Sequence, residues 1–216
     1  MHTALSRDQP VPRTSKRESL HQTQGSSDVE AAGIEQYAES ARSVINSQQK
    51  SMVVGLSLGS FTAALLCLQI PATALVFVNG MIPLPGESPG EWWGATGQAA
   101  AKAAKDRHEG RDPDAEFDPI EVFFHDVPAD ITLDASSHNR AQSNGPFASP
   151  WALSTWPDVP THVIVGRGDR FFPAEFQTRI SHERLGIHPD FLDGGHLLPL
   201  SRPVELAALL DSYSPL

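Results

Sequence analysis

Ser57 stands between two glycines in the stretch GLSLG, residues 55–59, where an apolar run gives way to a helix-like one. A serine hydroxyl is a weak nucleophile until a nearby base takes its proton, and that base needs a third group to orient it. Two later stretches supply those residue types. VIVGRGDRFFP carries Asp169 just after an apolar run, and FLDGGHLLPLSRP carries His196 just after the next. In these roles Ser57 attacks, His196 takes the proton, and Asp169 holds the correct imidazole tautomer. Asp190 and Asp193 are rival acids, but both precede His196 on or near its own strand and would have to reach backwards. Asp169 therefore ranks first. A bare G-x-S-x-G string is weak evidence, and its weight comes from its place at a strand-to-helix turn, where flanking glycines permit a sharp bend.

The elements that must position these residues alternate along the chain. DVEAAGIEQYAESARSVINS spaces Ile34, Tyr37, Ala38, Ala41, Val44 and Ile45 as a helix does. SMVVGL and TALVFVNG are short β-branched runs of the kind found in a sheet covered on both faces. Between them GSFTAALLCLQI reads as a helix stopped by Pro71. THVIVG and HPDFLDG repeat the strand pattern, with PAEFQTRISHERLG between them and PVELAALLDSY after. Such alternation predicts an α/β layer with a mostly parallel sheet and right-handed crossovers. In such a sheet the carboxyl ends of neighbouring strands share one edge, where Ser57, Asp169 and His196 could converge. The polar stretch over about 80–160 interrupts the rhythm and reads as an inserted cap within one domain, 27–216.

Composition narrows the function classes. The chain has 216 residues and 40% hydrophobic content, enough for a sizeable core. Its formal net charge is -10, which excludes the basic footprint that nucleic acid or an anionic membrane would attract. No apolar run approaches the roughly 20 residues of a membrane span. The single cysteine, Cys67, cannot form an intramolecular disulfide, which fits a reduced, cytoplasmic setting, and its place in an apolar helix predicts packing rather than chemistry. Residues 1–26 are polar and irregular, and are expected to be a disordered tail.

Other candidates carry blander readings. The carboxylate run from Asp106 to Asp134 reads as a solvated face. His125 and Asp126 are adjacent, and adjacent side chains seldom point the same way, so the pair reads as structure or surface. His182 and His188 lack the spacing and company of metal ligands. Trp92, Trp93, Trp151 and Trp156 could line an apolar acyl or alcohol pocket or simply pack the cap.

The stretch from about 51 to 213 resembles the α/β-hydrolase superfamily, and within it a bacterial esterase-like group related to plant methylesterases and hydroxynitrile lyases. The carrying residues are GLSLGSFTA, VNGMIPLPGESPGEWW, GRGDRFFPAEFQ and DGGHLLPLSRPVEL, and the order Ser57, Asp169, His196 is that of the family's triad. The resemblance implies cleavage of a small carboxylic ester through an acyl-enzyme, with no metal and no organic cofactor. It also makes the backbone N–H of Leu58 one oxyanion donor.

One departure accompanies the resemblance. The family places several strands before the nucleophile turn, with a His-Gly loop that gives the second oxyanion N–H, and no such segment precedes Ser51. A truncated or mis-started reading frame is the favoured expectation, ahead of a degenerate, inactive hydrolase or a chain completed by another subunit. Loss of one oxyanion donor costs about 3 to 4 kcal/mol in the transition state, so impaired turnover is expected. The first strand would then lie at a sheet edge, which predicts self-association there.

Overall fold

The computed structural model describes residues 32–46, 48–139 and 143–214. The expected tail, 1–26, lies outside the described residues. In chain order the elements are α1 (Ile34–Val44), β1 (Ser51–Leu56), α2 (Gly59–Cys67) and β2 (Ala72–Val78). A helical connection follows: α3 (Pro89–Thr96), α4 (Gln98–His108), α5 (Pro119–Phe123), α6 (Ala129–Ser137) and α7 (Gly145–Ala148). Then come β3 (Thr161–Gly166), α8 (Ala174–Leu185), β4 (Asp190–Leu192), α9 (Leu198–Ser201) and α10 (Pro203–Ser212).

The four strands form one parallel sheet in the order β1-β2-β3-β4. Because every pairing is parallel, all four carboxyl ends lie on the same edge. Register aligns Gly55 with Phe77, Phe77 with Val163, and Val165 with Phe191. Because side chains alternate along a strand, one face carries Val53, Leu75, Phe77, Val163 and Val165 into the larger core, which Phe61 and Leu65 of α2 complete. The other face carries Val76, Val78 and Ile164 against Leu198 and Leu206. That second layer thins towards β1, where Val54 is 44% exposed.

Local signals explain the element boundaries. Gly33 starts α1, its N–H held by the Gln36 side chain at 2.7 Å, so the helix is shorter at both ends than the periodicity predicts. Ser88 caps α3 by accepting from Glu91 N, while the Glu91 carboxylate accepts from Ser88 N, with Pro89 at the first helical position. Asp118 caps α5 by a single bond, accepting from Ile120 N at 2.8 Å.

The carboxylate run is not uniformly a solvated face. Asp106 is 2% exposed, and Lys102 and Arg111 both donate to it, at 2.6 and 2.9 Å. Although burial opposes the charge, these two cations hold its carboxyl below the usual range. A buried pair between Arg184 and Glu87 joins α8 to the segment before α3, and Arg184 Nη1 also donates to Ile82 O at 2.7 Å.

The tryptophans divide. Trp92 and Trp151 are buried core residues whose indole N–H groups donate to Ile82 O and Phe61 O, whereas Trp93 and Trp156 are half-buried. Cys67 is buried in α2, and burial pushes its thiol up to about 12. No helix among the described residues is long and apolar enough to cross a membrane.

Among the described residues β1 lies at the sheet edge with Val54 exposed beside it, which leaves its outer backbone groups open to pairing with a second copy. Val54→Lys should raise the monomer fraction in sedimentation velocity while shifting stability by no more than about 0.5 kcal/mol. Identical sedimentation of the two proteins would argue against edge pairing.

Candidate active site

Ser57 follows the last residue of β1 and precedes α2 by one residue, so the chain must reverse within a few bonds. The reversal is concentrated on the serine itself, whose φ is +50°. A non-glycine residue in that left-handed region is strained and needs support from its surroundings. That support is visible: Ser57 N donates to Val78 O at 3.2 Å, and Ser57 O accepts from Ser60 N and Met81 N at 3.1 Å each. The turn is thereby bolted to the end of β2.

The two flanking glycines have different roles. A Cβ at Gly55 would lie 2.8 Å from Ala63 Cβ and 2.9 Å from both Gly59 O and Ser60 Cα, so only glycine lets α2 pack onto β1. A Cβ at Gly59 would meet nothing within 4 Å, and its φ is not positive. The sequence reading that credits both glycines is thus right for one.

Asp169 lies in the loop after β3, and His196 in the loop after β4. The structure brings these two together. His196 Nδ1 and Asp169 Oδ2 are 2.8 Å apart, with side-chain exposures of 4% and 0%. The other oxygen, Oδ1, accepts from the backbone N–H groups of Phe171 and Phe172 at 2.8 and 2.9 Å. Both carboxylate oxygens therefore face fixed donors, and the acid cannot rotate away. A carboxylate can only accept, so Nδ1 carries the hydrogen, and in the neutral imidazole Nε2 is then the acceptor. The rings of Phe123, Phe171 and Phe172 surround the imidazole at 5.0 to 5.6 Å.

Ser57 shares the same sheet edge, but its hydroxyl makes no hydrogen bond to His196 or to any other described residue. In unliganded sites such bonds are often long and tighten only with substrate. The Leu58 N–H, at the start of α2, is likewise given to no described acceptor. The rival acids are engaged elsewhere: Asp193 is exposed beside Arg167, and Asp190 accepts from the Tyr213 hydroxyl.

Three further residues join this site: Asn79, which the sequence reading did not single out, and His125 and Asp126, which it took as structure or surface. Asn79, fully buried with φ +42°, donates to Gly195 O and His196 O at 3.0 and 2.9 Å and accepts from Gly166 N at 2.7 Å. A polar residue closing an apolar strand was its only sequence signal. His125 Nε2 lies 3.1 Å from Gly168 O, and Asp126 Oδ2 accepts from Gly195 N at 2.7 Å. They therefore do not form an acid/base pair with each other. Among the described residues no group of three or more His, Cys, Asp or Glu side chains is placed to hold a metal.

Residues 19–209 match the model of the alpha/beta hydrolase family. No curated protein matches the chain significantly. Among solved structures, polyneuridine aldehyde esterase aligns with a TM-score of 0.66 at 18% identity, covering 87% of this chain and 81% of its own. A pyrethroid hydrolase from Sphingobium faniae gives 0.62 at 18%, covering 85% and 78%. A methylesterase from Arabidopsis gives 0.61 at 17%, covering 83% and 77%. At these identities the likeness establishes the fold.

Two predictions concern stability. Gly55→Ala should lower unfolding free energy by about 1 to 3 kcal/mol through overpacking, whereas Gly59→Ala should be neutral or stabilising by up to about 1 kcal/mol. Urea denaturation of both variants checks this. For His125, burial first and Arg170 second hold the imidazole below its ordinary 6.5, while Asp126, Asp169 and the Gly168 carbonyl pull the other way. The unfolded chain then binds this proton before the native chain does, so the contribution is intact above about pH 6.5 and is lost as pH falls below it. The midpoint of urea unfolding should therefore fall less steeply on acidification in His125→Gln than in the parent.

Proposed function

Because the chain belongs to the alpha/beta hydrolase family, we propose that it is a serine hydrolase that cleaves a small, fairly apolar carboxylic ester through an acyl-enzyme. The observation that carries this reading is the buried 2.8 Å bond between His196 Nδ1 and Asp169 Oδ2, at the same sheet edge as a serine held in a left-handed turn. The ester class is that named for enzymes of similar fold, an esterase and a methylesterase among them. An apolar substrate suits the aromatic rings around His196.

In this mechanism His196 Nε2 takes the Ser57 hydroxyl proton as Oγ bonds to the ester carbonyl carbon. The carbonyl π electrons move to oxygen, and the Leu58 N–H donates to the resulting oxyanion. Collapse breaks the bond to the alcohol, which leaves with the proton from Nε2. Water, deprotonated by the same nitrogen, then releases the acid and restores Ser57. Asp169 holds the Nδ1–H tautomer throughout and takes no proton.

A second reading is a chain that keeps the fold without turnover. The Ser57 hydroxyl that is hydrogen-bonded to no described residue favours it. Covalent labelling by a fluorophosphonate probe separates the two. Labelling that is present in the parent and absent in Ser57→Ala supports the hydrolase; absence of labelling in the parent supports the inactive form. Where an activated aryl ester is turned over, Ser57→Ala and His196→Ala should abolish turnover, and Asp169→Asn should reduce kcat on the order of 10⁴-fold. Near-parental kcat in either alanine variant would sink the assignment.

A further inference from the structure

The segment from Glu121 to Asp126, at the end of α5 and just beyond it, touches both loops that carry the acid and the base. On the acid side Arg170 Nη1 donates to Glu121 O at 2.9 Å, and His125 Nε2 pairs with Gly168 O at 3.1 Å. These contacts grip the residues on either side of Asp169. On the base side Asp126 Oδ2 accepts from Gly195 N at 2.7 Å, and the Phe123 ring lies 5.0 Å from the His196 ring. The fit against Gly195 is close enough that a Cβ there would lie 2.5 Å from Asp126 Oδ1 and 2.7 Å from His125 Nε2. Arg202 Nη1, 3.9 Å from Asp126 Oδ2, adds a cation near the same carboxylate oxygen.

We propose that this segment is the positioning element of the Asp169–His196 pair, with Asp126 as the residue that fixes the base through the Gly195 N–H. Asp126 touches no reacting atom in this role. It sets where His196 sits by holding the preceding peptide, while His125 holds the peptide before Asp169. One short stretch of the helical connection thus bridges the two loops, beside the direct bond from Gly168 N to Gly194 O at 2.9 Å. Release of Asp126 leaves the His196 loop tied by Asn79 and by the Gly194 carbonyl to Gly168 N, but removes the only side-chain acceptor of the Gly195 N–H among the described residues. A displacement of the base by about 1 Å reduces turnover on the order of 100-fold without altering how substrate binds.

The kinetic arm of the test rests on the hydrolase reading, whereas the spectroscopic arm does not. The whole chain and its Asp126→Ala and Asp126→Asn variants are compared by aryl ester turnover and by heteronuclear NMR of isotopically labelled histidine, reading the His196 Nδ1–H signal. The expected result is a kcat loss on the order of 10- to 100-fold in Asp126→Ala with KM little changed. The Nδ1–H signal should shift and exchange faster with water, and both effects should largely revert in Asp126→Asn, which keeps an oxygen acceptor for the Gly195 N–H. An unchanged Nδ1–H signal in folded Asp126→Ala would overturn the proposal, as would equal loss in the alanine and asparagine variants. Should Asp126→Ala fail to fold, His125→Ala is read in its place, with the same shift required. If the parent neither turns over ester nor labels at Ser57, the hydrolase reading fails and the Nδ1–H signal alone decides the present one.

Discussion

The buried amide of Asn79 is the contact on which the arrangement of this sheet edge depends. It closes β2 in a left-handed conformation, which asparagine tolerates better than most residues. From there its side chain satisfies the Gly166 N–H at the end of β3 and the carbonyls of Gly195 and His196 beyond β4. Each bond contributes about 1 kcal/mol net, but removal of the amide would leave several buried backbone groups unpaired at about 1 to 3 kcal/mol each. The asymmetry makes the site hard to replace. Its neighbours are matched to it: a Cβ on Gly166 would lie 2.5 Å from Gly195 O, so the last loop rests directly on the β3 backbone.

Given that clamp, the chemistry of the edge follows from where water is kept out. His196 lies against three aromatic rings and is almost wholly enclosed, as is Asp169. A hydrogen bond in such surroundings is stronger than in water, and an unmatched polar atom is correspondingly worse. The structure answers by matching them. The carboxylate meets two backbone N–H groups and one imidazole N–H.

Much of this was legible in the sequence because it is local or periodic. The four strands and the helices between them follow from β-branched runs and helical spacing, and parallel order then dictates that residues after β1, β3 and β4 meet at one edge. Asp169 ranked above Asp193 for a reason that concerns reach, and the structure has Asp193 turned outward to Arg167. What stayed hidden is the contact between distant residues. Asp126 and Gly195 are 69 positions apart, and Asn79 and His196 are 117 apart, so no window of sequence shows either bond. The rule that adjacent side chains diverge also misled in part. His125 and Asp126 do not face each other, yet both loops they reach carry members of the same pair. Gly59 shows the converse, a glycine whose place in a familiar string suggested a need that its open surroundings do not impose.

The nucleophile and its base are therefore fixed by different kinds of contact. Ser57 is held by its own strained turn and by bonds to Val78 and Met81, all within 24 positions, so its geometry is complete once β1, α2 and β2 have packed. His196 is held by Asn79 from within the sheet and by Asp126 from the helical connection, and neither tie exists until segments far apart in the chain have docked. Contacts of long sequence separation close the largest loops and are the ones for which chain entropy is lost before any contact energy is recovered. Local opening of the structure should follow the same division. Loosening the helical connection removes the Asp126 tie while leaving the Asn79 tie and the serine turn in place, so the histidine loses one of its supports before the nucleophile loses any.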